Sequence, residues 1–253
     1  MAGGQGDRRP VTARRPFLTA EWRALVLLNF DIAPGLLQPF VPPGTTLDLW
    51  RGQAVVSVVG FLFLNTRLGG IPLPFHQRFE EVNLRFYVRR ELPSGECRRG
   101  VTFVKEFVPQ RAVALVARAF YNEPYQAAPM RSTGLLDAGT TAGRVSYEWR
   151  VDNRWQRVSC GVTGPPVLPP DDDERTFIAE HYWGYGRWRD GSTGEYEVRH
   201  PRWRVWNALE PELDVDVARL YGPAFVEALS ARPVSAFVAE GSPVEVYPAR
   251  RLL

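Results

Sequence analysis

The apolar residues of this chain come in short runs rich in Val, Leu and Phe, each fenced by proline or glycine, and this punctuation restricts the fold more than any other feature. Trp22 to Asp31 and Ala54 to Leu64 read as buried strands, with a short helical turn over residues 33–40 that ends before the Pro42-Pro43-Gly44 breaker. Glu80 to Arg90 alternates, placing Val82, Leu84, Phe86 and Val88 on one face and Glu81, Asn83, Arg85 and Tyr87 on the other. Gly100 to Val108 predicts a further strand, and Pro109 then opens a helix that should end near Asn122, because Pro124 disfavours helical geometry before it. A hairpin is expected from Arg144 to Arg150 and Trp155 to Val162 around Asp152-Asn153, and a helix from Glu174 to Tyr185 behind the acidic run Asp171 to Asp173. Strands at Glu195 to Arg199, Trp203 to Ala208, Val234 to Ala239 and Val244 to Tyr247, with a helix at Pro223 to Leu229, complete the pattern. Many short strands with few helices favour a β-rich α+β barrel over a doubly wound parallel sheet. No strand is followed by GxGxxG or GxxxxGK[ST], so dinucleotide and P-loop sites have no support. With no repeat and no long linker, residues 16–253 are expected to form one domain behind a disordered, Gly- and Arg-containing tail at 1–15.

The basic residues narrow the chemistry. Of 31 Lys plus Arg only Lys105 is a lysine, so any imine formed with a side-chain amine rests on it; arginine stays protonated and forms none. The net charge of +3 is small and the arginines are interspersed with Asp and Glu, which gives no footprint for a nucleic-acid partner. Cys97 and Cys160 are far apart and in no ligand spacing, His76, His181 and His200 form no HxH or HxxxH pair, and neither a metal, a cofactor nor a disulfide framework is implied. Arg14-Arg15 resembles an export signal only superficially, since Glu21 and Arg23 break the apolar run such a signal needs, and no run approaches the ~20 apolar residues of a membrane-spanning helix. A cytoplasmic protein without membrane association is the expectation; self-association into a homo-oligomer stays open.

Several residues could carry a site. Lys105 alternates with Val101, Phe103 and Phe107; if that set faces a cavity it is a desolvated amine with a lowered pKa, and otherwise it is a snorkelling lysine paired with a carboxylate. Glu106 points the opposite way, so the two share a cavity only through a bulge. Glu80, Glu81, Asn83 and Arg85 supply either a polar wall that orients a small carboxylate or carbonyl compound, or a solvated face of cross-strand ion pairs. Glu123 and Tyr125 flank Pro124 at a helix exit, either as acid-base groups or as a turn cluster. His181 is either a polar edge for a ligand or a satisfied structural histidine, and the eight tryptophans read as core and cavity wall.

Five segments in order, FEEVNLRFYVRR (Phe79 to Arg90), GVTFVKEFVP (Gly100 to Pro109), ARAFYNEPYQAAPMR (Ala117 to Arg131), FIAEHYWGYG (Phe177 to Gly186) and YEVRHPRW (Tyr196 to Trp203), resemble the YqjF-like family of uncharacterised conserved proteins, domain of unknown function 2071. The resemblance implies a fold similar to acetoacetate decarboxylase, a cone-shaped, mostly antiparallel β-barrel with packed helices and a ligand cavity inside, and implies no particular reaction. By the same resemblance Arg118 and Pro124 fall on an arginine and a proline that precede the decarboxylase's paired lysines, whose places Tyr125 and Gln126 then occupy. Arg23 falls near an arginine used there for the substrate carboxylate. A phenol and an amide form no imine. Three functional readings are open: a small-molecule-binding barrel with Arg23, Glu81, Asn83, Arg85, Arg118, Tyr125 and His181 around the ligand and any catalysis resting on Glu123 and Tyr125; a lyase using Lys105; or a binding or regulatory protein without turnover.

Overall fold

Fifteen strands build the chain into one continuous hydrogen-bonded network, seen in a computed structural model that describes residues 14–72, 77–109, 124–137 and 139–252. In chain order these are β1 (Leu18–Ile32), β2 (Thr46–Leu47), β3 (Ala54–Leu68), β4 (Ile71–Pro72), β5 (Arg78–Glu91), β6 (Cys97–Val108), β7 (Tyr125–Ala127) and β8 (Met130–Thr133). They continue with β9 (Ala142–Val151), β10 (Arg154–Val167), β11 (Trp183–Arg187), β12 (Thr193–Arg199), β13 (Val205–Asp214), β14 (Ser235–Val246) and β15 (Arg250–Arg251). The order β12-β11-β6-β5-β3-β1-β14 is closed by pairing of Val198 and Arg199 with Val246 and Glu245, which makes a ring of seven strands. From β14 the sheet runs on through β13, β10, β9 and β8 and folds back against the outside of the ring.

Two cores result, one on each side of the ring wall. The outer core joins Val26, Leu28 and Phe30 of β1, Val56 and Val58 of β3 and the apolar face of β5 to Val145, Tyr147 and Trp149 of β9 and Val158 and Val162 of β10. The layers touch closely at Gly60, where a Cβ would lie 2.6 Å from the Tyr147 ring, and the Tyr147 hydroxyl donates to the Ala24 carbonyl at 2.8 Å. The inner core holds Leu25, Leu27, Val59, Phe61, Phe63, Tyr87, Val101 and Phe237. The ring interior is therefore walled mainly by apolar and aromatic side chains.

Two bulges decide which residues enter that interior. In β1, Leu18, Ala20 and Trp22 face inward; the pairing with β3 slips between Arg23 and Val26, Ala24 takes a positive φ of 52°, and Leu25 and Leu27 then face inward instead. In β6 the register against β5 slips between Leu84 and Arg85, where Lys105 pairs with Leu84 and Phe103 with Arg85, leaving Val104 as the extra residue.

Among the described residues the helices are short: Pro34–Leu37, Glu174–Ala179, Val217–Tyr221 and Val226–Ser230, with single 3₁₀ turns at Gln38–Phe40 and Pro223–Phe225. The expected helix Glu174 to Tyr185 is corrected to Glu174–Ala179, which Asp173 caps by accepting from the Arg175 amide at 2.8 Å. The chain leaves it because Trp183 and Gly184 pair with Gly100 and Val101 of β6. The two expected strands Val234 to Ala239 and Val244 to Tyr247 are one, β14, carried through Gly241 at φ 80°. Asp152 and Asn153 both have positive φ, 47° and 64°, as a two-residue hairpin turn demands. All but Pro109 of the expected helix Pro109 to Asn122, and nearly all of the tail at 1–15, lie outside the described residues.

Candidate functional site: a polar-floored cavity inside the strand ring

Alternation along β5 sends Val82, Leu84, Phe86 and Val88 into the outer core and leaves Glu81, Asn83 and Arg85 on the ring interior. The β6 bulge adds Glu106 to the interior face that already holds Val101 and Phe103. Parallel pairing of Tyr125 with Glu106 places the start of β7 at the same wall. His181, just past the helix Glu174–Ala179, His200, and the aromatic rings of Trp22, Trp183, Tyr196 and Trp203 complete the lining of a cavity of about 600 Å³, its opening to solvent included. The aromatic packing is continuous: Trp22 meets Phe61 at 5.3 Å and Trp203 at 6.3 Å, and Trp203 stacks on the His200 ring at 4.1 Å.

The polar groups are few and specifically held. Asn83 is buried, and its Nδ2 donates to Glu81 Oε1 at 2.9 Å; because that partner is a carboxylate oxygen, the amide orientation is fixed and Oδ1 remains as the acceptor, with no hydrogen-bond partner among the described residues. Arg85 donates from Nη2 to the Ile178 carbonyl at 3.3 Å and lies 5.7 Å from the Tyr87 ring, while its buried Nε has no partner among the described residues. Among the described residues Arg85 makes no ion pair, although Glu81 of the same strand lines the same cavity.

His181 is fully buried between aromatic rings, 4.7 Å from Tyr87 and 5.2 Å from Phe177, and its Nε2 meets Asp48 Oδ2 at 3.1 Å. Asp48 also accepts from Arg99 Nε at 2.6 Å. Burial alone would raise the Asp48 carboxyl, but the hydrogen bonds from His181 and Arg99 outweigh it and hold the group below the usual range. Burial pushes His181 down to about 4, helped by the charges of Arg99 and Arg85 and opposed by Asp48. At neutral pH the pair is thus a carboxylate and a neutral imidazole. An ionised carboxylate only accepts, which assigns the proton to Nε2 and leaves Nδ1, which has no partner among the described residues, as an acceptor. His200 is likewise pushed down to about 4 by burial, its Nδ1 lying 2.9 Å from the Pro201 carbonyl.

The expected residues divide. Glu81, Asn83, Arg85, Tyr125 and His181 come together around the cavity. Lys105 does not: the extra residue Val104 reverses the alternation, so the lysine leaves the face of Val101 and Phe103, and its Nζ sits 5.8 Å from the Phe107 ring on the outer side of the wall. Half-buried there, its amine is lowered by desolvation. The expected alternation of Lys105 with Val101 and Phe103 is corrected, and of its two readings the one that put the amine in the cavity loses its basis. Arg23 is corrected for a similar reason: its neighbour Trp22 points inward, and Arg23 instead clamps Glu21 through Nε at 2.9 Å and Nη2 at 2.5 Å. Glu80 points away from the cavity and accepts from Ser132 of β8 at 2.8 Å. Arg118, Glu123 and His76 lie outside the described residues. Among the described residues no group of three His, Cys, Asp or Glu side chains is placed to hold a metal ion, and no helix is long and apolar enough to cross a membrane.

Sequence reasoning missed Asp48, Arg99 and the inward turn of Glu106. Asp48 and His181 are 133 positions apart and no spacing rule connects them. Glu106 was recoverable only from the bulge, which Val104 does not advertise.

The family profile of domain of unknown function 2071, described as an uncharacterized conserved protein, matches residues 19–243. The uncharacterized protein YqjF of Bacillus subtilis (strain 168) is 27% identical over 199 residues, 77% of each chain. Among solved structures, an acetoacetate decarboxylase-like enzyme from Sphingomonas wittichii RW1 superposes with a TM-score of 0.65 at 15% identity, covering 100% of both chains. The enduracididine biosynthesis enzyme MppR, complexed with pyruvate, superposes with a TM-score of 0.64 at 14% identity over 100% of this chain and 99% of that one. The ring of strands is thus the acetoacetate decarboxylase-like fold, and the chain belongs to the family of domain of unknown function 2071.

Proposed function

We propose that this protein binds a small organic carboxylate or carbonyl compound in the ring cavity, with Arg85 as its anionic anchor and without a Schiff-base lysine. The observation that carries the reading is the Arg85 guanidinium: it lines an aromatic-walled cavity, and among the described residues its buried Nε has no partner and no carboxylate pairs with it. A guanidinium in such surroundings favours a ligand that brings its own negative charge, and its fork geometry matches a carboxylate. A lining of aromatic walls with a few convergent polar groups suits a small molecule. The structural relative MppR, solved in complex with pyruvate, lends the same ligand class to the fold.

The imine route has little geometric support. Lys105 is the sole lysine of the chain and lies on the outer side of the wall. Any proton transfer to a ligand would then fall to Tyr125, His181 or the cavity carboxylates. Native mass spectrometry of freshly purified protein, with identification of any released small molecule, tests the proposal directly. Recovery of a carboxylate or carbonyl compound whose retention drops in Arg85→Gln is expected. A purely apolar ligand, or one retained equally by that variant, would sink the reading.

A further inference from the structure

The cavity sets the Arg85 cation beside two buried acceptors, and this combination specifies more than a carboxylate. Asn83 Oδ1 is left as an acceptor because Nδ2 is committed to Glu81, and His181 Nδ1 is left as one because Nε2 is committed to Asp48. Asn83 is 1% and His181 7% exposed, and both line the cavity. The imidazole cannot turn to satisfy Nδ1 elsewhere, since Asp48 holds one edge, Tyr87 and Phe177 pack against the ring, and Asp48 itself is fixed by Arg99. A ligand with acceptors only, such as a 2-oxo or 3-oxo acid, would satisfy Arg85 and offer neither acceptor a partner. A site built to receive a donor discriminates strongly against the analogue that lacks one.

We propose that the preferred ligand is a small carboxylic acid bearing a hydrogen-bond donor, a hydroxyl or an amine, near its carboxylate, with the carboxylate on Arg85 and the donor given to His181 Nδ1 or Asn83 Oδ1, a hydroxyl serving one of the two and an amine both. This rests on the proposed carboxylate site and narrows it. His181 acts in it as a contact residue, and Asp48 and Arg99 as positioning residues that fix its tautomer. A hydroxy acid differs from its oxo acid by oxidation level alone, so matched pairs of acids separate the two.

Isothermal titration calorimetry on the full chain with lactate, alanine and pyruvate, and with 3-hydroxybutyrate and acetoacetate, provides the test. A donor-bearing acid is expected to bind at least tenfold more tightly than its oxo partner, about 1.4 kcal/mol. Lactate against alanine tells a hydroxyl from an amine. The preference should fall to less than threefold in His181→Phe and in Asn83→Leu, each checked for folding by its thermal melt, while the weaker binding of the oxo acid is kept. Should either variant not fold, the wild-type ratios decide alone. Equal or tighter binding of pyruvate and acetoacetate, with sensitivity to Arg85→Gln, would overturn this inference and leave the carboxylate site standing. No binding by any of the five acids, with Arg85→Gln indistinguishable from wild type, would overturn both.

Discussion

Arg85 and Glu195 are both inside the protein, yet they answer to opposite rules. Glu195 is fully buried and satisfied, with Arg90 and Arg98 at 2.9 Å, Arg250 at 2.8 Å and the Tyr185 hydroxyl at 3.2 Å. Burial works against its charge, but the guanidiniums of Arg250, Arg90 and Arg98 outweigh that and hold the carboxyl below the usual range. Glu195→Gln leaves three cations around a neutral amide, and urea denaturation should show a loss of about 3 kcal/mol, the low end for breaking a buried pair because Arg250 is half exposed. Arg85→Gln, which breaks no ion pair among the described residues, should change the unfolding midpoint little while weakening a bound carboxylate by about 2 kcal/mol, the range of a charge-assisted hydrogen bond. His181 gives a pH signature. Its folded pKa of about 4 lies below the ordinary value near 6.5, so unfolding takes up a proton between those limits. Stability should therefore fall as pH drops from 6.5 towards 4, by up to about 3 kcal/mol for this residue, and His181→Gln should flatten the slope of unfolding free energy against pH in that window. An unchanged slope would show that the imidazole is protonated in the folded state. None of these partnerships was legible in sequence, because each joins residues that only the closed ring brings together.

The strands themselves were largely legible, and the reason is physical. Successive side chains of a strand point to opposite faces, and the polar and apolar residues of β5 keep step with that period, so alternation alone assigns its polar triad Glu81, Asn83 and Arg85 to one face. Bulges are the places where alternation carries no warning. Ala24 at φ 52° and Val104 are ordinary apolar residues, and each reverses the inward face beyond it; in β6 that reversal exchanges a lysine for a glutamate in the cavity. The β1 bulge depends on its partner strand. Gly241 sits opposite at φ 80°, and a Cβ there would lie 2.0 Å from the Trp22 carbonyl oxygen. Gly241→Ala therefore meets both an unfavourable backbone conformation and a backbone clash, and should cost at least about 2 kcal/mol, read from the urea midpoint. A near-neutral result would mean that β14 can shift against β1 without disturbing Trp22.

The whole molecule has the acetoacetate decarboxylase-like fold of its structural relatives, with its single lysine beside the Phe107 ring on the outer side of the wall and Tyr125 lining the cavity. Imine chemistry requires an uncharged primary amine within reach of a carbonyl, and a desolvated cavity would supply the lowered pKa if an amine were present. Wild-type protein incubated with acetoacetate and borohydride should keep its intact mass and release carbon dioxide no faster than buffer. A gain-of-function variant then asks whether the missing amine is the whole difference. Tyr125→Lys introduces an amine at the start of β7, cross-strand from Glu106 on the interior face, in the position where the resemblance to the decarboxylase places its lysine. That variant should gain a borohydride-stable adduct on residue 125, whereas Lys105→Ala should leave wild-type behaviour unchanged. An adduct on Lys105 in the wild-type chain would show that the strand wall opens enough to admit a ligand to its outer side, and would restore the lyase reading that the β6 bulge disfavours.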